Sequence, residues 1–213
     1  MDKTLTLNYR FRIKRIDPHI IGILFLGLNF VALISCTEKL KSDETRIEEV
    51  ITDFYEWYSL EIKARNTSSF QPIFVADSNG LSTLDFAQMD ANLAAVGFHK
   101  NYIPNLKRDF EPCLANLNSI PFDSLKLFED LDDFDDINCA FSNLYQWTGD
   151  TEPHDGVEVG EVTKNGDSIA VAECRIFNVG ENMRLYWEHK YLVIKLKEAD
   201  EDWKISNIEI VFP

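Results

Sequence analysis

The sequence has 213 residues and a formal charge of −15, with 36 acidic against 21 basic side chains. Phosphate backbones and anionic headgroups repel so negative a chain, which excludes nucleic-acid binding and electrostatic docking on a membrane as its working mode. Met1–Ser35 carries five basic and two acidic residues, so the rest of the chain stands at −18 and attracts basic partners.

Lys3, Arg10, Arg12, Lys14 and Arg15 precede an apolar run, Ile20 to Ser35, that leads into Leu33-Ile34-Ser35-Cys36. A basic flank, an apolar run and a small residue make an export signal. Three rivals fit less well. The run has 16 residues with Asn29 inside it, short of the roughly 20 a spanning helix needs. Leu33 suits badly the small-residue cut site of an unlipidated secretory peptide. A core helix would show an apolar face at helical spacing, and none is visible. The last four residues resemble the lipobox of bacterial lipoproteins. That resemblance implies a signal peptide over 1–35, cleavage before Cys36, acylation of Cys36, a tether over 36–42 and one domain over 43–213. Thr37, where an Asp would resemble an inner-membrane retention signal, implies an outer-membrane anchor in the cell envelope, on the periplasmic or surface face. Stable anchoring takes more than one acyl chain.

Asp43 is placed to cap a helix whose Ile47, Val50, Ile51, Phe54, Tyr58 and Ile62 share one face. A loop is expected over 66–79, a second helix from Ser82 to about Tyr102, and a third from Pro104, kinked or delayed at Pro112. Residues 121–152 are acidic and irregular. Strands follow at 157–164, 168–179, 184–197 and 203–212, with Asn165-Gly166 as a hairpin signal. Helices first and a four-stranded antiparallel meander after predict an α+β domain.

Cys113, Cys139 and Cys174 follow Cys36. Export permits disulfides. Cys113 and Cys139 lie near loops and are the expected pair. Cys174 sits mid-strand as a small apolar residue.

A turn at Glu181-Asn182 would set Arg175 against Glu188, Glu173 against Lys190 and Phe177 against Tyr186, each cross-strand pair contributing about 0.2–1 kcal/mol. That register puts Ala172, Cys174 and Ile176 on a helix-covered face with Trp187, His189, Tyr191, Ile208, Ile210 and Phe212. It turns Ile169, Val171, Leu192, Ile194, Trp203 and Ile205 outward with Phe177 and Tyr186. So much exposed apolar surface would call for cover from residues 66–79, from the acidic region, or from a protein partner or a homodimer.

Phe54-Tyr55-Glu56-Trp57-Tyr58 on the first helix, with this element order, resembles a family of uncharacterised bacterial lipoproteins that is similar to the cone-shaped nuclear-transport-factor-two-like superfamily. The resemblance implies a curved sheet around a helix with a pocket at its open end. Its enzymes use an Asp–His or similar pair there, and here only His189 occupies that face. The candidate pocket is therefore Tyr55, Trp57, Trp187, His189 and Tyr191, with His189 more simply a core histidine.

Glu129, Asp130, Asp132, Asp133, Asp135 and Asp136 lack the spacing of a calcium loop. They are expected to form a solvated acidic segment that offers a surface to a basic protein. No nucleophile elbow, zinc motif, P-loop or dinucleotide fingerprint is present. Neither a metal nor a cofactor is expected, and the sequence points to a binding or interaction module rather than an enzyme. The alternative is a small-molecule binder or weak acid/base enzyme centred on His189.

Overall fold

In a computed structural model, which describes residues 41–128, 131–142, 145–181 and 183–213, the first element is α1, Asp43–Lys63. Cys36 and the whole leader lie outside the described residues, as do Glu129 and Asp130. No described helix is long and apolar enough to cross a membrane. Two units divide the chain, Met1–Lys41 and Ser42–Pro213, and the second holds every element named below.

α1 starts one residue earlier than its sequence suggests. Ser42, not Asp43, is the cap: its Oγ accepts the Thr45 N–H at 3.3 Å. Asp43 and Glu44 then sit in the first turn, where negative charge suits the helix dipole. Arg65 adopts φ 57°, and the Asn66 and Arg65 N–H groups close on Glu61 O and Ile62 O, which stops the helix. Ile47, Ile51, Phe54, Tyr55 and Tyr58 are fully buried, each worth about 1.5–3 kcal/mol of transfer free energy.

The expected 66–79 loop instead holds β1 (Ile73–Ala76), which pairs antiparallel with β2 (Ser82–Asp85). Asp77 closes their turn by accepting the N–H groups of Asn79 and Leu81, both at 2.8 Å. The second helix therefore begins later, as α2 (Ala87–Ala95), and breaks at Gly97, whose φ is +98°. α3 (Tyr102–Arg108) and α4 (Glu111–Leu117) follow, with Pro112 in the first turn of α4.

Two short helices, α5 (Phe122–Leu125) and α6 (Leu131–Asp136), order much of the acidic region. Phe134 anchors α6 between Phe74 and Phe128, with ring centroids at 5.6 and 5.4 Å. A disulfide joins Cys113 in α4 to Cys139 just past α6, with Cα atoms 4.8 Å apart. Trp147, from the same acidic region, is a core residue. Its ring lies 5.2 Å from Phe54, 4.9 Å from Tyr58 and 5.4 Å from Phe98, and its Nε1 donates to Tyr102 Oη at 2.7 Å.

The main sheet has five strands rather than four: β3 (Gly156–Lys164), β4 (Ile169–Val179), β5 (Arg184–Tyr186), β6 (Tyr191–Ala199) and β7 (Asp202–Val211). The order is β3-β4-β6-β7, every pair antiparallel, with β5 also paired to β4. α1 packs on this sheet and touches both β3 and β7. The edge of β7 is covered by the segment after α2: His99 N–H donates to Ile205 O, and Ile205 N–H to Gly97 O, each at 2.8 Å.

The expected third strand is two strands, and the reason is register. Phe177 faces Tyr186, but Cys174 faces Leu192. Three steps along β4 correspond to six along its partners, so three extra residues are taken up between β5 and β6. An odd slip inverts every side chain beyond it. Leu192, Ile194 and Leu196 consequently face the core and are fully buried, as are Trp203 and Ile205 on β7. The expected apolar outer face, and the motive it gave for a partner or homodimer, is thereby removed. Magnitudes explain the choice. Two surface ion pairs offer at most about 1 kcal/mol each, whereas burying Leu192, Ile194 and Leu196 offers about 1.5–3 kcal/mol each. Ala170, Ala172, Cys174 and Ile176 face inward as their alternation predicts. Ile208 and Ile210 also pack against the core, because a bulge between Lys195 and Leu196 resets β7, but Phe212 is exposed.

Candidate functional site

The three extra residues make a feature of their own. Between β5 and β6 the segment Trp187–Lys190 leaves the ladder, held at one end by Trp187 N–H donating to Ile176 O at 3.0 Å. Lys190 holds the other end. Its side chain is 2 % exposed, and Nζ donates to Thr148 O at 3.2 Å, Gly149 O at 3.0 Å and Asp150 Oδ2 at 2.8 Å. Asp150 is itself oriented by the Thr151 and Glu152 N–H groups, at 2.8 and 3.2 Å. Lys190 above all, aided by those N–H groups, holds its carboxyl below the usual range. A buried cation with a counter-ion and two carbonyls is satisfied, and it pins the segment to the turn at Tyr145–Asp150.

Beside this segment lies a cleft of about 700 Å³. Tyr186, Trp187, Glu188 and Lys190 supply one side, and Glu173, Arg175 and Tyr191 line it from β4 and β6. Gly160 and Glu161 line it from a bulge in β3, where the register shifts between Val159 and Val162, and Cys174 borders it from β4.

Both cations in the lining are already committed. Arg175 donates to Glu158 Oε1 at 2.6 Å and lies 4.3 Å over the Tyr186 ring. Glu158 also accepts from Arg184 at 2.9 Å and from the Tyr186 hydroxyl. Tyr186 first, then Arg175, keep its carboxyl below the usual range. Lys190 belongs to Asp150. Glu161, Glu173 and Glu188, in contrast, have no ion pair or side-chain hydrogen bond among the described residues. The expected pairs Arg175–Glu188 and Glu173–Lys190 do not form.

Of the five candidate pocket residues, Trp187 and Tyr191 line this cleft and the others do not. His189 is not a core residue facing the helices. Its side chain is 62 % exposed, stacked on Trp187 with centroids 6.1 Å apart, and its Nε2 stands 3.8 Å from Asp150 Oδ2. The register inversion moves it there. Tyr55 lies in the core and donates to Trp147 O at 3.0 Å. Trp57 is half-buried beside Phe54, at 6.0 Å.

The buried histidine is His154, which no sequence pattern singles out. It is fully buried against Tyr55 and Tyr58, each ring centroid at 5.7 Å. Among the described residues neither ring nitrogen has a hydrogen-bond partner, and neither does the Tyr58 hydroxyl. Burial lowers the His154 pKa to about 4, and the nearby Tyr55 backbone opposes this only in part. Cys174 is a free, buried thiol that burial pushes up to about 12, so it is protonated and inert. Among the described residues no cluster of His, Cys, Asp or Glu is arranged to hold a metal. A second, smaller cleft of about 410 Å³ runs past Tyr102, Asp109, Trp147 and Asn207.

Comparison with protein-family models, with curated proteins and with solved structures returns no match.

Proposed function

We propose that this chain is an exported, lipid-anchored binding module of the cell envelope, held by an acylated Cys36, and that its ligand sits in the cleft beside Trp187 and Tyr191. One observation carries the reading: a cleft of about 700 Å³ with aromatic walls, within the 300–1,000 Å³ of ordinary ligand sites. The leader and the Cys113–Cys139 disulfide support export, since such bonds persist in oxidising compartments. The cone-type superfamily remains the proposed relationship, supported by α1 touching both β3 and β7 of the sheet.

Binding rather than catalysis is favoured because the thiol that borders the cleft, Cys174, is kept protonated by burial. Asp150, the carboxylate nearest His189, is engaged by Lys190 at 2.8 Å. The test has two arms. Cell fractionation with mass spectrometry of the N-terminus should find an acylated cysteine in the membrane fraction. A thermal-shift screen against a chemically mixed small-molecule library should return hits that a Trp187→Ala variant loses. An N-terminus at Met1 in a soluble fraction overturns the anchoring. Hits indifferent to Trp187→Ala, or no hits, overturn the cleft.

A further inference from the structure

The buried histidine and the anchor of the cleft wall lie on one short stretch of chain. We infer that this stretch, Tyr145 to Asp155, is an acid-sensitive latch: protonation of His154 expels its ring from the core, and the stretch then lets go of Lys190 and the Trp187–Lys190 segment. Any effect on binding rests on the reading of the cleft as the binding site; the latch itself does not.

His154 follows Asp150 in the connection from the Tyr145–Asp150 turn to β3. Asp150, Thr148 and Gly149 hold the Lys190 ammonium at one end of it. At the other end Asp155 pairs with Lys63 at 2.5 Å and accepts the Val179 N–H at 2.6 Å. Between Asp150 and Asp155 the side chains of Thr151, Glu152 and Pro153 are exposed, and His154 alone is buried. Its ring is therefore the peg that draws the connection onto the core, assisted by Ser59 Oγ donating to His154 O at 2.6 Å.

The seat of that peg suits a neutral ring and no other. From α1 it is faced by Tyr55 and Tyr58, both kept protonated by burial, and approached by Lys63, a like charge for an imidazolium. Cys174 of β4, near Tyr55, is a protonated thiol. The one carboxylate at hand is Asp155, already taken by Lys63. An imidazolium there would be a buried charge without a partner, so the ring leaves. Its departure also gives water to both ring nitrogens and to the Tyr58 hydroxyl, which the closed seat leaves unpaired among the described residues. The Ser59 bond goes with it, and the turn that positions Asp150 against Lys190 is no longer fixed from below.

Native-state hydrogen exchange on the full chain, without ligand, at pH 7 and pH 5 tests the latch. With a His154 pKa of about 4 in place and about 6.5 when free, the opening constant should rise roughly twentyfold between those two conditions. Protection of the Thr148, Gly149 and Trp187 amides, all hydrogen-bonded in the closed form, should fall by that factor through an opening that low urea does not promote. α1 should exchange by the urea-sensitive global route alone. His154→Phe fills the seat with an uncharged ring and should hold the three amides at their pH 7 protection. If the three amides match α1 in protection and in urea dependence, there is no local opening and the latch is overturned. That comparison uses wild type alone, so it decides the matter whether or not the variant folds. A folded His154→Phe protein that responds to pH like wild type overturns the latch equally. Neither failure touches the cleft as a binding site, because no ligand is present.

Discussion

Lys190 is the tie that keeps three residues out of the β4–β6 ladder, and its removal is the sharpest test of how the cleft is built. Lys190→Met keeps most of the stem and deletes the charge. Asp150 then loses its ammonium partner, and the Thr148 and Gly149 carbonyls lose a donor. Removing one partner of a buried ion pair costs about 3–5 kcal/mol. The lower end applies, because Asp150 is 27 % exposed and keeps two backbone donors, giving about 3 kcal/mol. In a domain of this size that is a fall of roughly 6–12 °C in melting temperature. Asp150→Asn strands the ammonium instead and should cost a similar amount. The double variant should cost less than the sum of the two, with a coupling of about 2 kcal/mol. Urea denaturation followed by circular dichroism measures all four proteins. If Lys190→Met unfolds within 0.5 kcal/mol of wild type, or if the two changes simply add, the segment is held by something else and the account of the cleft is wrong.

Burial sets the pH response of His154. Its pKa is about 4 in the folded protein and about 6.5 unfolded, so between those values only the unfolded chain takes up the proton. Stability is therefore fully present above pH 6.5 and falls as pH drops toward 4, by about 3 kcal/mol from this group. A His154→Phe variant should show a flatter stability profile across that window, read by urea melts at stepped pH. Gly149 has φ +61°, and a Cβ there would stand 2.9 Å from Ile210 Cδ1. Gly149→Ala should cost about 2 kcal/mol through backbone strain and overpacking, whereas Gly166→Ala, with open space around it, should show the strain alone. The disulfide spans a sequence separation of 26 residues, worth about 3.5 kcal/mol in chain entropy, so a Cys113→Ala, Cys139→Ala double variant should lose that much stability in urea melts while wild type in reductant shows the same loss.

The sequence was most legible where one periodicity acted without competition. The apolar face of α1 and the inward alternation of β4 from Ala170 to Ile176 are both found buried. The upper half of the β4–β5 hairpin was also legible: Phe177 meets Tyr186, and Gly180 N–H donates to Met183 O at 2.8 Å. What lay beyond the Trp187–Lys190 segment was not. Glu173, Arg175, Glu188 and Lys190 match in charge across an unbroken ladder, so local pairing gave a self-consistent wrong answer. Only the need to bury Leu192, Ile194 and Leu196 breaks it, and that need is set by the helices on the other side. The same blindness applied to Trp147 and His154, buried by contacts with residues 89 and 99 positions away in Tyr58 and Tyr55. For the candidate site, Trp187 and Tyr191 were expected in a helix-covered pocket, whereas they line the solvent-side cleft.

The claim that the cleft beside Trp187 is where this protein binds is tested most directly by an NMR titration. Indole N–H signals of the full chain are followed as a hit from the thermal-shift screen is added, with the four tryptophans assigned by substitution. The Trp187 signal should shift saturably while those of Trp147 and Trp203, both buried in the core, stay in place. A titration that moves Trp147 and leaves Trp187 still would place binding at the Tyr102 cleft and contradict the account.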